Sequence, residues 1–260
     1  MNKKPICNEH ADASAATANA KGIIIDHADI VVTHTCPNRC PHCIDKFINT
    51  DSRIVSLSDI EDFLRIVSAH SSPGLEVLLL GGEPTSVGFD YLKDITEVIR
   101  SAGFSPIIST NTRDKEMWVK LVTIFDWVQI TVHSKADIEF LKPYADKVNI
   151  KLAGDRTLTF KRLKEFIADT ASFIRRSVSM YFTPDFTELC TDAEIWNILN
   201  GLDWKRNGSY LYAFYEGVRF KKCIPTSLTS QLFRNSIPTV TTTKRGATRM
   251  MTAISLRHLS

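Results

Sequence analysis

Three cysteines within eight residues, Cys36, Cys40 and Cys43, carry the most reactive chemistry in this chain. They are spelled Cys36-Pro37-Asn38-Arg39-Cys40-Pro41-His42-Cys43, a C-x-x-x-C-x-x-C spacing. So short and polar a segment can wrap three sulfurs round one object. Three thiolates are one fewer than the four that normally hold a [4Fe–4S] cluster, and the spacing differs from the ferredoxin run. A cluster gripped by three would leave one iron open, and an open position is where three-ligand zinc centres do their chemistry. The pattern points to a reactive site rather than a passive electron carrier. The same residues also allow a structural zinc, with His34 or His42 as fourth ligand. A disulfide framework is not indicated. Cys7, Cys190 and Cys223 lie far apart in sequence, nothing marks the chain as secreted, and a bridge inside the triad would be strained.

A second stretch bears on the first. Gly81-Gly82-Glu83-Pro84-Thr85 follows the apolar run Leu75-Glu76-Val77-Leu78-Leu79-Leu80. The glycines would let backbone groups approach a ligand closely, Glu83 could accept from an ammonium group, and Pro84 would fix the turn. A plain strand-to-loop turn would use similar punctuation. The cysteine motif and the Gly-Gly-Glu-Pro stretch together resemble the radical S-adenosylmethionine (SAM) superfamily, over roughly residues 28–185.

The resemblance implies an open partial (β/α)6 barrel of parallel strands with a short C-terminal extension. It implies a [4Fe–4S] cluster on Cys36, Cys40 and Cys43, which are then both the metal ligands and the catalytic centre. It implies SAM held by its amino and carboxylate groups at the open iron, with Gly81, Gly82, Glu83 and Pro84 on the amino group. Reductive cleavage would give methionine and a 5′-deoxyadenosyl radical, which abstracts hydrogen from a small-molecule, nucleotide or peptide substrate. A reductant such as flavodoxin or ferredoxin would supply the electron. Where the superfamily often has an aromatic residue just before the third cysteine, near the adenine, this chain has His42, which can still stack. The resemblance names no substrate. An activase that installs a radical on a partner protein, or a non-catalytic zinc or iron–sulfur module, are the alternatives.

The elements that must position these residues alternate strand and helix. Ile30-Val31-Val32-Thr33 is a β-branched run leading into the cysteines. Ser58-Asp59-Ile60-Glu61 reads as a capping box; Ile60, Phe63, Leu64 and Val67 then share one helical face. Leu75–Leu80 is a buried strand, followed by a helix from about Asp90 to Ala102 with Gly103 as its stop. The alternation continues with strands near 106–109, 127–132, 148–152 and 178–182. Helices are expected over 114–124 and 136–141, and a long one over 158–175. Six such repeats mean parallel strands joined by right-handed crossovers. Pattern alone would equally permit a doubly wound sheet; the resemblance selects the barrel. Beyond Phe186 the rhythm is lost, apart from a helical stretch at 192–202 and the aromatic run Tyr210–Tyr215.

In such architectures active residues gather at the carboxyl ends of strands. The polar clusters fall there: the cysteines, Gly81–Thr85, Ser109 and Asn111, Thr131 and His133, and Lys151. Ser109 and Asn111 are candidates for the ribose hydroxyls or the methionyl carboxylate, or for ordinary loop capping. Thr131 and His133 are further cofactor-binding candidates. Lys151 could pair with the SAM carboxylate or be a solvated lysine.

Apolar residues make up 43% of the 260 and charged residues 23%, which places the chain among ordinary globular proteins. No apolar run reaches the ~18 residues of a membrane helix, and the polar, alanine-rich start is no secretory signal. Cytoplasm is expected, where thiolates stay reduced. The net charge of +3 is uneven: residues 221–260 carry +7 with no acid, leaving −4 on residues 1–220. Such a tail can contact nucleic acid, but its low complexity and few aromatics favour a solvated end. The expected division is a flexible segment 1–27, a core 28–185, an extension 186–235 and a disordered basic tail 236–260.

Overall fold

The computed structural model describes residues 23–40, 43, 53–154, 157–173, 178–182, 192–207, 210–223 and 253–258. His42, Cys7 and Cys190 lie outside them. The chain alternates β1 (Ile23–Thr33), α1 (Leu57–Ser68), β2 (Glu76–Gly81), α2 (Phe89–Ser101), β3 (Ser105–Thr110), α3 (Lys115–Ile124), β4 (Trp127–Thr131), α4 (Lys135–Leu141), β5 (Val148–Gly154), α5 (Phe160–Asp169) and β6 (Val178–Phe182). Then come α6 (Ala193–Gly201), β7 (Lys205–Asn207), β8 (Tyr210–Tyr215), β9 (Val218–Cys223) and β10 (Ala253–His258).

All ten strands form one sheet, in the order β10-β1-β2-β3-β4-β5-β6-β9-β8-β7. Strands β1 to β6 are parallel neighbours in chain order. Sequential order with right-handed crossovers puts every connecting helix on one face. A doubly wound sheet would reverse its order part-way; this one does not, so the open (β/α)6 arrangement is the fold. The edge strands β10 and β7 do not pair with each other, and the barrel stays open.

The core lies between the sheet and its helices. Matched rows such as Ala28–Val77 and Ile30–Leu79–Ile108–Val128 face the helices. Helix α1 buries Ile60, Leu64 and Val67 against them, at about 1.5–3 kcal/mol for each large side chain. Its cap is Ser56, whose hydroxyl accepts from the Asp59 amide, two residues before the Ser58 expected from the sequence. The long helix expected over 158–175 is shorter. Thr159 caps it at the start, and past its end the Thr170 hydroxyl donates to the Phe166 carbonyl. Strand β1 starts at Ile23, inside the stretch expected to be flexible, and pairs antiparallel with β10, inside the stretch expected to be a tail. Strand β9 has no counterpart in the sequence reading. It follows β8 through a tight turn at Glu216 (φ 47°) and Gly217 (φ 84°), the paired positive φ of a type I′ hairpin. Among the described residues no helix is long and apolar enough to cross a membrane.

Candidate active site

The cysteine loop leaves the carboxyl end of β1. Pairing of β1 with β2 is irregular between Val31 and Thr33, the kind of local break that re-aims a strand end beside a site. Thr33 is fully buried; its hydroxyl donates to the Arg53 carbonyl (3.0 Å) and accepts from the Thr35 amide (3.1 Å). That fixes the first turn of the loop. Further on, the Cys43 amide donates to the Cys40 carbonyl (3.1 Å), and the Cys36 thiol donates to the Asn38 carbonyl (3.6 Å). All three cysteines are free and half-buried.

The Gly-Gly-Glu-Pro stretch is laced directly onto this loop. The Gly82 amide donates to the Thr33 carbonyl (2.8 Å) and the Glu83 amide to the Thr35 carbonyl (2.9 Å). A Cβ on Gly81, which sits at φ 136°, would fall on the Thr33 carbonyl oxygen, and one on Gly82 on the carbonyl oxygens of Thr35 and His34. The glycines are therefore required by the close approach of two backbones, a constraint separate from any ligand. Pro84 is buried and opens a single 3-10 turn.

Glu83 is 2% exposed, a depth at which a carboxylate needs partners. It has four. Oε1 accepts from the Thr85 amide (3.2 Å) and from the hydroxyls of Thr85 (2.9 Å) and Thr110 (2.6 Å); Oε2 accepts from the Asn111 amide (2.8 Å). Glu83 thus ties the loop after β2 to the end of β3. Asn111 carries the connection back to the cysteines. Its Nδ2 donates to Cys40 Sγ (3.2 Å), its carbonyl accepts from Asn38 Nδ2 (3.2 Å), and its Oδ1 meets His133 Nε2 at 2.7 Å. An amide oxygen can only accept, so the His133 proton sits on Nε2 in this arrangement. His133 in turn is held through its backbone amide by Asp137 Oδ2 (3.0 Å), in the capping box that starts α4.

Of the residues singled out from the sequence, Cys36, Cys40, Cys43, Gly81, Gly82, Glu83, Pro84, Asn111 and His133 form one connected cluster. Ser109, Thr131 and Lys151 stand apart from it, on the strands themselves. Strand alternation turns them to the face of the sheet that carries no connecting helix. In the sequence, Thr110, Thr85 and Asn38 read only as members of their stretches, with no role of their own. Their signal was adjacency to residues already chosen, but only the fold shows which neighbour points inward.

The electrostatics agree with a compact site. Burial raises the Cys36 thiol above its ordinary value; a backbone hydrogen bond at Asn38 opposes this, and the charges of Glu83, Cys40 and Cys43 add to the rise. The three thiols and Glu83 are close enough to sense one another. Among the described residues no three His, Cys, Asp or Glu side chains converge as they would on a single ion. A [4Fe–4S] cubane takes one thiolate per iron, and three thiols on one loop, with an amide donor on the middle sulfur, would serve three of its four irons.

The comparisons decide the family. Residues 30–188 match the radical SAM superfamily. The chain belongs to that superfamily. Among solved structures it is similar to native anSMEcpe with bound AdoMet and a Cp18Cys peptide, at 15% identity over 60% of this chain and 49% of that one, TM-score 0.46. It is also similar to a histidine-tagged form of anSMEcpe with bound AdoMet, at 15% identity over 63% and 50%, TM-score 0.48. The chain thus spans about half the length of these structures. No curated protein matches it.

Proposed function

We propose that this radical SAM protein holds a [4Fe–4S] cluster on Cys36, Cys40 and Cys43, binds SAM beside it, and begins radical chemistry on a substrate. The observation that carries the reading is the lacing of the two motifs. Amides of Gly82 and Glu83 donate to carbonyls of the cysteine loop, so the two signature stretches are one site rather than two coincidences. The cluster, when bound, supplies the single electron that splits a carbon–sulfur bond of SAM.

The chain's own residues bind and orient. Thr33 and the Gly81–Glu83 backbone set the cysteine loop against the end of β2. Glu83 fixes Asn111, and Asn111 places a hydrogen-bond donor on Cys40. The 3-10 turn that Pro84 opens leaves the loop after β2 in one conformation for the SAM amino group. Ser109 and Thr131, on the face without helices, supply hydroxyls for the nucleoside or the substrate.

Anaerobic reconstitution with iron and sulfide tests the reading. The expected product is a brown protein with about four irons per chain that forms 5′-deoxyadenosine from SAM on reduction. A colourless protein with one bound zinc would overturn it in favour of a non-catalytic metal module.

A further inference from the structure

The face of the sheet without connecting helices changes character from one side to the other. On β1 to β3 it carries the apolar Val31, Leu78, Leu80 and Ile107 interspersed with Asp29, Glu76, Ser105 and Ser109. From β4 onward it turns polar and basic. Strand register sets two rows there. One runs Thr131, Lys151, Ser179, Arg219. The next runs Ala153, Tyr181, Lys221 and on to Tyr212 and Lys205. Their in-between neighbours Leu152, Met180 and Phe220 are buried on the helix side, so alternation turns both rows to the open face. Adjacent strands lie about 4.8 Å apart and residues rise about 3.3 Å along a strand, which sets Lys151 about 10 Å from Arg219 and about 12 Å from Lys221 at the backbone. Aspartate and glutamate do not occur in either row.

Lys151 is the informative member. Its side chain is half-buried, and burial and the Lys221 charge hold its pKa down to about 8, with the Glu83 charge opposing. Glu83 already has four donors. Taking an ammonium partly out of water and placing a second cation beside it is unfavourable on both counts. Nothing in the fold needs it; Lys222, one residue along β9, instead stacks on Trp204 at 4.1 Å on the helix side.

We propose that Lys151, with Lys221 and Arg219, receives an anionic group of the substrate, a carboxylate or a phosphate, so that this enzyme's substrate is negatively charged. This rests on the proposed function for the location of the substrate, but not for the existence of the anion site. Tyr181 and Tyr212, in the row with Lys221, offer flat surface next to the charge. Lysine and arginine together on one sheet face suit such a group, the arginine by its two-pronged fork and the lysines as point charges.

Amine labelling of the full-length protein tests this without needing cluster, cleavage or substrate. The protein is treated at pH 8 with limiting acetic anhydride, and acetylation of Lys151 and Lys221 is read by mass spectrometry against exposed Lys93. Inorganic phosphate and acetate are the probes, sodium chloride at matched ionic strength is the control, and each condition is repeated with SAM present. Phosphate or acetate should protect Lys151 and Lys221 severalfold while leaving Lys93 unchanged, with and without SAM. Protection equal to that of chloride would reduce the effect to screening and overturn the proposal. Full protection by SAM alone, with nothing added by phosphate, would assign Lys151 to the SAM carboxylate and overturn it too. A Lys221→Gln variant, changed on the half-exposed strand β9, gives a second measurement. Phosphate should raise its melting temperature less than that of the unchanged protein, and an equal rise would count against the site. A protein that fails to load iron but still shows phosphate protection would separate the failure of the proposed function from that of this site.

Discussion

Glu83→Gln removes one charge and about one oxygen from the centre of the site, and its consequence can be worked from the contacts. If the glutamine oxygen keeps the two threonine hydroxyls and the Thr85 amide, its NH2 group faces the Asn111 amide, a donor against a donor. One charge-assisted bond of about 1.5–3 kcal/mol is lost, and the remaining ones weaken from charged to neutral, roughly halving each. The bonds alone sum to about 4–7 kcal/mol, offset in part because a charge is no longer buried, against total stabilities of about 5–15 kcal/mol. Glu83→Ala should exceed this, because the buried Thr110 hydroxyl and two backbone amides then lose their acceptor, at about 1–3 kcal/mol each. Urea unfolding of the reduced, metal-free protein measures both, with the midpoint read at constant slope. The loss should also be local. The Asn111 amide should exchange its hydrogen at least tenfold faster in Glu83→Gln, since a tenfold change needs only about 1.4 kcal/mol. A Glu83→Gln protein within about 0.5 kcal/mol of the parent, the range of ordinary surface changes, and with Asn111 exchange unaltered, would refute the view that this carboxylate organises the site.

Other consequences are as direct. Cys40→Ala should abolish cluster loading, read as iron and sulfide content and loss of the brown colour, because two thiolates hold a cluster poorly; retention of cleavage activity would disprove the ligand assignment. Asn111→Ala should lower the cluster's reduction potential in an EPR-monitored titration, since a donor on sulfur favours the more negative reduced state, and His133→Ala should shift it the same way by less. Gly82→Ala should prevent loading through displacement of the cysteine loop, because its Cβ would meet the Thr35 and His34 carbonyls. Lys151 gives a pH signature. Its folded pKa of about 8 lies below the ordinary 10.5, so between these values the unfolded chain binds more protons and stability rises with pH, by up to about 3 kcal/mol in all. Lys151→Met should be more stable than the parent at pH 7 and lose that rise; an unchanged pH slope would show that Lys151 is not held in a desolvated place.

The chemistry was more legible in the sequence than the geometry that supports it. Cys36, Cys40 and Cys43 announce themselves because their spacing is local, and Gly81–Pro84 because it punctuates a strand end. Six strand–helix repeats were readable from period alone, since each buried row repeats within one element. Contacts such as Glu83 with Thr110 and Asn111 span 27 and 28 residues. No local pattern encodes which loop a carboxylate will reach, and the expected partner for Glu83 was accordingly a ligand. The cap of α1 moved from Ser58 to Ser56 for a related reason: both serines precede an acidic residue, and only the chain's entry angle decides between them. Strand β9 went unread because Val218-Arg219-Phe220-Lys221-Lys222 alternates, but with charge on its polar side where a solvent-exposed edge would look the same.

That missed strand changes what the site can be taken to mean. Strand β9 pairs parallel with β6 and antiparallel with β8, so it extends the open face beyond the six strands of the core and brings Arg219 and Lys221 beside Lys151. Without it, Lys151 would be a single lysine one strand in from the sheet edge, with no second cation beside it. With it, three cations from β5 and β9 share one face, in two rows to which neither aspartate nor glutamate contributes. On the function proposed above, the cysteine loop at the carboxyl end of β1 would start the reaction, and the basic rows of β5 and β9 would set the position of a charged substrate.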